Sequence, residues 1–375
     1  MKTITFSIFI LLFPLACLAQ SLKGVILDAD TKEPIVGANV YLNGTTLGST
    51  TDAFGKYDIA FRSIIYTELI ISYIGYEKII IDKPFQHLPD TIFLQEIDYK
   101  LKEVSVKGKP TFSERQKRRA FREQFLGKTK GGYSCRILNE KDIRIIYDPE
   151  TNKLHAYSDV PIEIYNNYLG YKVRWEFIDF TLVLNDKKSL ASHNIDSVSI
   201  IGTASFTDIS NGSEKTSLIR KDTYNFSRNR FFFLLANEKL IESDIRFFDY
   251  VPKGEKLNPA FSPHTKWFKV KNNPEEKSIK DVTLNHKEQD SLGITKTIVA
   301  TIITIETTEY TSLDSRMKKI NYTTSSVSRF YLLTDTFSID SYGNTNLVKN
   351  LFITGSMGHH KIGDQLPLNY LPPSK

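Results

Sequence analysis

The chain has 375 residues, 41% of them hydrophobic and 25% charged, with 49 Lys+Arg against 43 Asp+Glu for a formal charge of +6. That length allows two domains, and so mild a basic excess does not single out nucleic acid as a partner. It reads as solubility and attraction to anionic surfaces. The two cysteines are Cys17 and Cys135.

Residues 1–19 carry the parts of a secretory leader: Lys2, an apolar run from Ile4 to Leu15, and small residues at Cys17 and Ala19. The run is short and broken by Pro14, which argues against a membrane span of ~20 residues. Cleavage after Ala19 is expected, and with it export to the periplasm or the outer membrane. Cys17 keeps a second outcome open: Phe13-Pro14-Leu15-Ala16 before it is a loose version of a lipid-attachment box, so Cys17 is the candidate lipidation site. Cleavage after Ala19 leaves Cys135 alone, so stability must come from the core rather than from an internal disulfide.

Residues 21–107 alternate short strands with turns. Val25–Leu27, Val36–Leu42, Leu69–Tyr73, Tyr76–Ile81, Ile92–Leu94 and Val104–Val106 are predicted strands. Asn43-Gly44 is a tight-turn dipeptide, because both residues tolerate positive φ. Asp52 and Gly55 mark another turn in Thr51–Tyr57. Asp28, Asp30 and Glu33 could offer oxygen ligands to Ca²⁺, but the glycine and the remaining ligands of a calcium loop are missing, so turn capping before Pro34 is the preferred reading.

Residues 108–129 form a basic connector. Lys117, Phe121 and Phe125 fall four apart, which predicts an amphipathic helix carrying Arg115, Lys117, Arg118, Arg119 and Arg122. A phosphate-bearing membrane surface is one use for it; a solvated helix between domains is the preferred one.

Residues 130–375 read as a β-rich α+β domain. Tyr171, Val173, Trp175 and Phe177 alternate with Lys172, Arg174 and Glu176. Val198–Phe206, Ile298–Ile305, Phe330–Ile339 and Leu347–Ile353 are further predicted strands, and Tyr342–Thr345 a hairpin tip. One helix is predicted from Ser227 to Lys239, capped by Ser227, with Phe231, Leu234 and Leu235 as its core stripe.

No constellation of catalytic type emerges. None of the seven histidines, His87, His155, His193, His264, His286, His359 and His360, precedes a Glu by three, as a zinc carboxypeptidase site requires. His193 precedes Asp196 at that spacing without further ligands, and adjacent His359 and His360 suit one metal poorly. Gly355–Gly358 has the wrong spacing for a serine nucleophile elbow. Cys135 sits in a predicted strand and reads as a buried apolar residue. No phosphate loop or dinucleotide fingerprint occurs, so no cofactor is implied. Carboxylate pairs for glycoside hydrolysis need no fixed spacing and stay open.

Gly24–Ile26, Thr31–Val40, Gly48–Tyr57 and Ser72–Tyr76 together resemble the carboxypeptidase-regulatory-like domain family. The resemblance implies a seven-stranded-type, transthyretin-like β-sandwich without catalysis, of the kind common in Bacteroidota envelope proteins and often placed ahead of outer-membrane transporters. The fold class expected is therefore mainly β: that sandwich, followed by the β-rich α+β domain. Arg119–Leu126, Asp159–Tyr171 and Lys361–Pro372 are similar, more loosely, to an uncharacterised group of Bacteroidota proteins. Asp90-Thr91-Ile92, Asp196-Ser197-Val198 and Asp290-Ser291-Leu292 resemble the O-glycosylation triplets of exported Bacteroidota proteins, a pattern loose enough to arise by chance.

Three functional readings follow, in this order. The first is a non-catalytic envelope protein, an accessory or binding module for an outer-membrane transporter, another envelope protein or an extracellular ligand, with membrane-surface contact as a further option. The second is a hydrolase of glycan or peptide with a dispersed carboxylate site in residues 130–375. The third is a small transmembrane barrel, against which Lys172, Arg174, Arg329 and the predicted helix all speak.

Overall fold

The computed structural model describes residues 20–97 and 111–237, Lys239, the strands between 245 and 339 named below, Asp340, 342–345 and 351–373. The expected leader with Cys17, the expected strand Val104–Val106, His264 and the Asp290 triplet lie outside the described residues.

Seven strands build the first domain: β1 (Gln20–Asp28), β2 (Asn39–Leu42), β3 (Gly48–Thr50), β4 (Lys56–Phe61), β5 (Leu69–Ser72), β6 (Ile79–Ile81) and β7 (Thr91–Leu94). They form two sheets, ordered β4-β1-β7 and β3-β2-β5-β6. Alternation explains the sandwich: Leu22, Ile26, Val40, Leu42, Tyr57, Ile59, Ile92 and Leu94 point inward into one core while their neighbours point out. Compared with the sequence reading, Val36 and Gly37 turn rather than extend, while Ala38 joins Val40 and Leu42 in the core. The stretch after Gly55 is a strand, whose Tyr57, Ile59 and Phe61 carry the period of two.

The second domain starts with helix α1 (Glu114–Phe125). Ser113 caps it, exchanging bonds with Gln116 in a capping box. Phe121 and Phe125 are fully buried and pack on Phe180 and Trp175 at centroid separations of 4.9 and 5.6 Å. The short helix α2 (Lys130–Tyr133) follows. Then come β8 (Cys135–Ile137), β9 (Arg144–Asp148), β10 (Lys153–Tyr157), β11 (Ile162–Asn166), β12 (Tyr171–Leu184) and β13 (Ile195–Asp208) in one antiparallel sheet. One edge of β12 pairs first with β11 and then, beyond a bulge between Phe177 and Asp179, with β10. Its other edge pairs with β13 along almost its whole length.

Two helices follow, α3 (Glu214–Asn225) and α4 (Arg228–Ala236). Ser227 caps α4 as expected, and Phe231 and Leu235 are buried. Helix α3 escapes the sequence reading because its apolar positions are sparse. The strands β14 (Ile245–Asp249), β15 (Glu275–Glu276), β18 (Ile302–Leu313), β19 (Lys319–Leu332) and β21 (Leu351–Gly355) make a further sheet. β16 (Thr283–His286), β17 (Lys296–Val299) and β20 (Ser338–Ile339) make a small one. The expected single strand Phe330–Ile339 is thus two strands, in different sheets. The fold is mainly β, as the composition of turns and alternating runs predicts.

The sandwich is seated on the second domain. All four residues of β5 are buried. Leu69 and Ile71 face the sandwich core, while Ile70 lies opposite Tyr41 on the other face of the same sheet. The Tyr41 hydroxyl donates to Thr203 Oγ1 at 3.1 Å, on β13. Lys78 pairs with Glu176 of β12 at 3.3 Å. A strand buried on both faces reads as an unbroken apolar run rather than as alternation, which is what Leu69-Ile70-Ile71 presents. Ile70→Ala is expected to cost about 2–5 kcal/mol, while Ile80→Ala, on the same face but 43% exposed, stays within about 0.5 kcal/mol. Urea unfolding of both variants checks this, and equal losses would contradict the seating.

Candidate functional site

Strand register sorts the loops of the sandwich into two ends. Asn43 N–H donates to Glu68 O, and the Thr67 hydroxyl to Asn43 O, so the loops after β2 and β4 share one end. This end is occupied by the second domain. The loops after β1, β3, β5 and β7 share the other. There Thr51 Oγ1 donates to Ile35 O, Ile26 N–H bonds Gly55 O, and Ile97 N–H bonds Gly75 O.

This second end carries large apolar side chains in water. Phe54 is 69% exposed and Ile74 79%, and Val36, Phe93 and Ile97 are exposed as well. Lys32 lies over the Phe93 ring at 4.5 Å, a cation–π contact. Asp30, Glu33, Asp52 and Glu96 surround these tips in exposed positions. Gly55, with φ +71, lets its turn approach Ile26 O and Pro34 closely; a side chain there would strike that carbonyl.

The expected acidic cluster is a turn. Asp28 Oδ1 accepts from the backbone N–H groups of Thr31 (2.7 Å) and Asp30 (2.8 Å), and Oδ2 from the Tyr76 hydroxyl at 2.7 Å. Asp30 accepts from Gln95. The Thr31 N–H, the Tyr76 hydroxyl and the Asp30 N–H, in that order, hold the Asp28 carboxyl down at about 2. A carboxylate whose charge is already satisfied by three donors has little left for a cation.

The basic helix is mostly committed to the protein itself. Lys117 pairs with Glu114 and reaches Ile145 O; Arg118 donates to Glu140 O, Arg119 to Glu123 and Arg122 to the Glu140 carboxylate. Arg115 stays exposed.

The histidines do not converge. His155 Nδ1 meets Thr181 Oγ1 at 3.0 Å, and the same hydroxyl bonds Asp179 at 2.7 Å. The hydroxyl stands between imidazole and carboxylate, so the acid does not orient the ring as a hydrolytic triad requires. His193 sits in a short turn, His286 on β16, and His359 and His360 beside β21. Among the described residues no three His, Cys, Asp or Glu side chains gather as metal ligands. Burial pushes the Cys135 thiol up to about 12, opposite to what a nucleophile needs. Thr91 and Ser197 of the two described glycosylation triplets lie within strands.

A polar cleft of about 390 Å³ opens between β13 and α3, lined by Asp208, Ser210, Asn211, Gly212, Ser213, Ser217 and Arg220. Sequence reading missed this pair. Arg220 grips Asp208 through two bonds, 2.7 and 2.9 Å, donates to Leu169 O and Gly170 O, and stacks on Tyr171 at 3.8 Å. Its guanidinium holds the Asp208 carboxyl well below the usual range. With its donors so engaged, Arg220 pins β13 to α3 and to the turn before β12.

The first domain is thus a seven-stranded sandwich, antiparallel except for the parallel β1–β7 pair, with one end built of loops. Residues 22–106 match the family model of the CarboxypepD_reg-like domain, and this part of the chain is a carboxypeptidase regulatory-like domain, a non-catalytic β-sandwich module. No curated protein matches the chain.

Arg220→Lys is expected to destabilise the second domain by about 1–3 kcal/mol, because an ammonium keeps the charge but cannot make the two-pronged bond to Asp208 and the bonds to Leu169 O and Gly170 O at once; thermal unfolding measures it, and a wild-type transition would refute the role. Asp28 has a lowered folded pKa, so its stabilisation is present above the unfolded value near ~4 and vanishes as pH falls through about 2. The stability gap between wild type and Asp28→Asn is therefore expected to close across that window. A gap that persists at the acid end would mean the Asp28 charge is not what holds the turn.

Proposed function

We propose that this protein is an exported component of the cell envelope. Its sandwich acts as a non-catalytic accessory or binding module for a partner protein at the outer membrane. The observation that carries the reading is the asymmetry of the sandwich: one end is taken up by the second domain, and the other holds Phe54 and Ile74 in water. Large apolar side chains held in water on loops at one end of a sandwich offer anchors that a partner's apolar pockets can cover. In the rim, Asp30, Glu33, Asp52 and Glu96 outnumber Lys32 and Lys56, which favours a partner whose apolar pockets are flanked by lysine and arginine, since complementary charge steers association and fixes register. The regulatory-like family supports a module without chemistry of its own. The leader-like residues 1–19 support export.

The test is photo-cross-linking in native envelopes, with a photoreactive phenylalanine analogue placed at position 54 or 74 and, as a control, at position 58 on the sheet face. Membrane and soluble fractions are analysed separately. A discrete adduct with one outer-membrane protein from 54 and 74, absent from 58 and weakened by added salt, is the expected result. A protein recovered free in the soluble fraction, with no adduct from either tip, would overturn the reading.

A further inference from the structure

β13 is the edge of its sheet, and an open edge presents unpaired backbone groups. Here the sandwich fills part of it. Gly44 N–H donates to Ala204 O at 2.6 Å, and Phe206 N–H to Thr45 O at 2.9 Å, so that Thr45 and Ser205 form a parallel bridge. The Asn43 side chain accepts from Ala204 N–H at 2.8 Å. The Asn43–Thr45 loop therefore serves as a one-residue strand of the second domain.

The other side of that loop is held by the C-terminal tail. Leu368 N–H donates to Gly44 O at 2.8 Å. Thr46 N–H donates to Asn369 Oδ1 at 3.1 Å, and Asn369 Nδ2 returns a bond to Thr46 Oγ1 at 2.8 Å. The Leu368 side chain sits 3.0 Å from where a Cβ on Gly44 would stand, and Gly44 has φ +73. Only glycine lets the tail close there.

The tail is itself anchored to the second domain at both ends. Upstream, Gly363 N–H bonds Leu126 O, and Thr129 donates to Asp364. Downstream, Tyr370 packs edge-on against Tyr224 of α3, with ring centroids 5.9 Å apart. Asn344 donates to Leu368 O and to Asp340, and the Asp340 carboxylate accepts Tyr66 N–H of the sandwich at 2.8 Å. The loop is enclosed by β13 on one side and the tail on the other.

We infer that residues 366–370 are a strap that locks the sandwich onto the second domain, so that the two domains behave as one body while it is closed and as two when it opens. Leu366 and Tyr370 hold the strap to the second domain, whereas its grip on the sandwich is a few hydrogen bonds and the Leu368 side chain, so it can release the sandwich without unfolding either domain.

The test uses the mature chain with a dye pair at positions 49 and 187, read by single-molecule energy transfer and by calorimetry. Wild type is expected to give one narrow distance distribution and one unfolding transition. Removal of residues 368–375, which keeps Leu366 in the second-domain core, is expected to broaden the distribution and split the transition in two. Gly44→Val, which leaves the tail whole and blocks its seat, is expected to do the same and serves as the test should the truncated chain fail to fold. A narrow distribution with a single transition in Gly44→Val, or in a folded truncated chain, would overturn the strap.

Discussion

Everything about the shape of this protein turns on three backbone groups of β13. The N–H and O of Ala204 and the N–H of Phe206 face the open side of a six-stranded sheet, and the Asn43–Thr45 loop of the sandwich satisfies all three. Buried backbone groups without partners are costly, so the loop is required there once the surfaces meet. Its placement brings the Tyr41–Ile70 face onto β12 and β13. It sets Gly44 under Leu368 and leaves the opposite end of the sandwich, with Phe54 and Ile74, pointing away.

Much of the sandwich is legible in the sequence because its strands obey one rule: inward residues are apolar and alternate. The turns are legible too. Asn43-Gly44 and Tyr342–Thr345 both form turns, with positive φ at Gly44 and Gly343. Their meaning is not legible. Each is a local preference when read alone, yet the first docks on β13 and the second belongs to the loop, around Asp340, that receives Tyr66. The signal for the docked face was present in Leu69-Ile70-Ile71, where alternation fails, but an unbroken apolar run does not say what covers its second face. Strand β4 is the opposite case: Tyr57, Ile59 and Phe61 alternate clearly, directly after the turn formed by Asp52 and Gly55.

Charge was harder to read than hydropathy. The run of basic residues on α1 looks like a free surface in one dimension. In three dimensions its acids come from Glu114 and Glu123 of the same helix and Glu140 of a following turn. The Asp208–Arg220 pair, twelve residues apart on a strand and a helix, has no periodic signature at all, though the Arg220 side chain is buried. Asp28 illustrates the converse. Its neighbours Asp30 and Glu33 suggest a cation by composition, and the backbone N–H groups that actually neutralise it are invisible to composition.

The completion of β13 by a loop from the preceding domain has a consequence for inheritance. In this chain the second domain has delegated part of one sheet edge to its neighbour, so a gene fragment encoding it alone would release a strand with its edge uncovered, prone to pair with other copies. The two segments are bound to travel together, and a sandwich borrowed from elsewhere could replace this one only if it brought its own Asn-Gly-Thr tip.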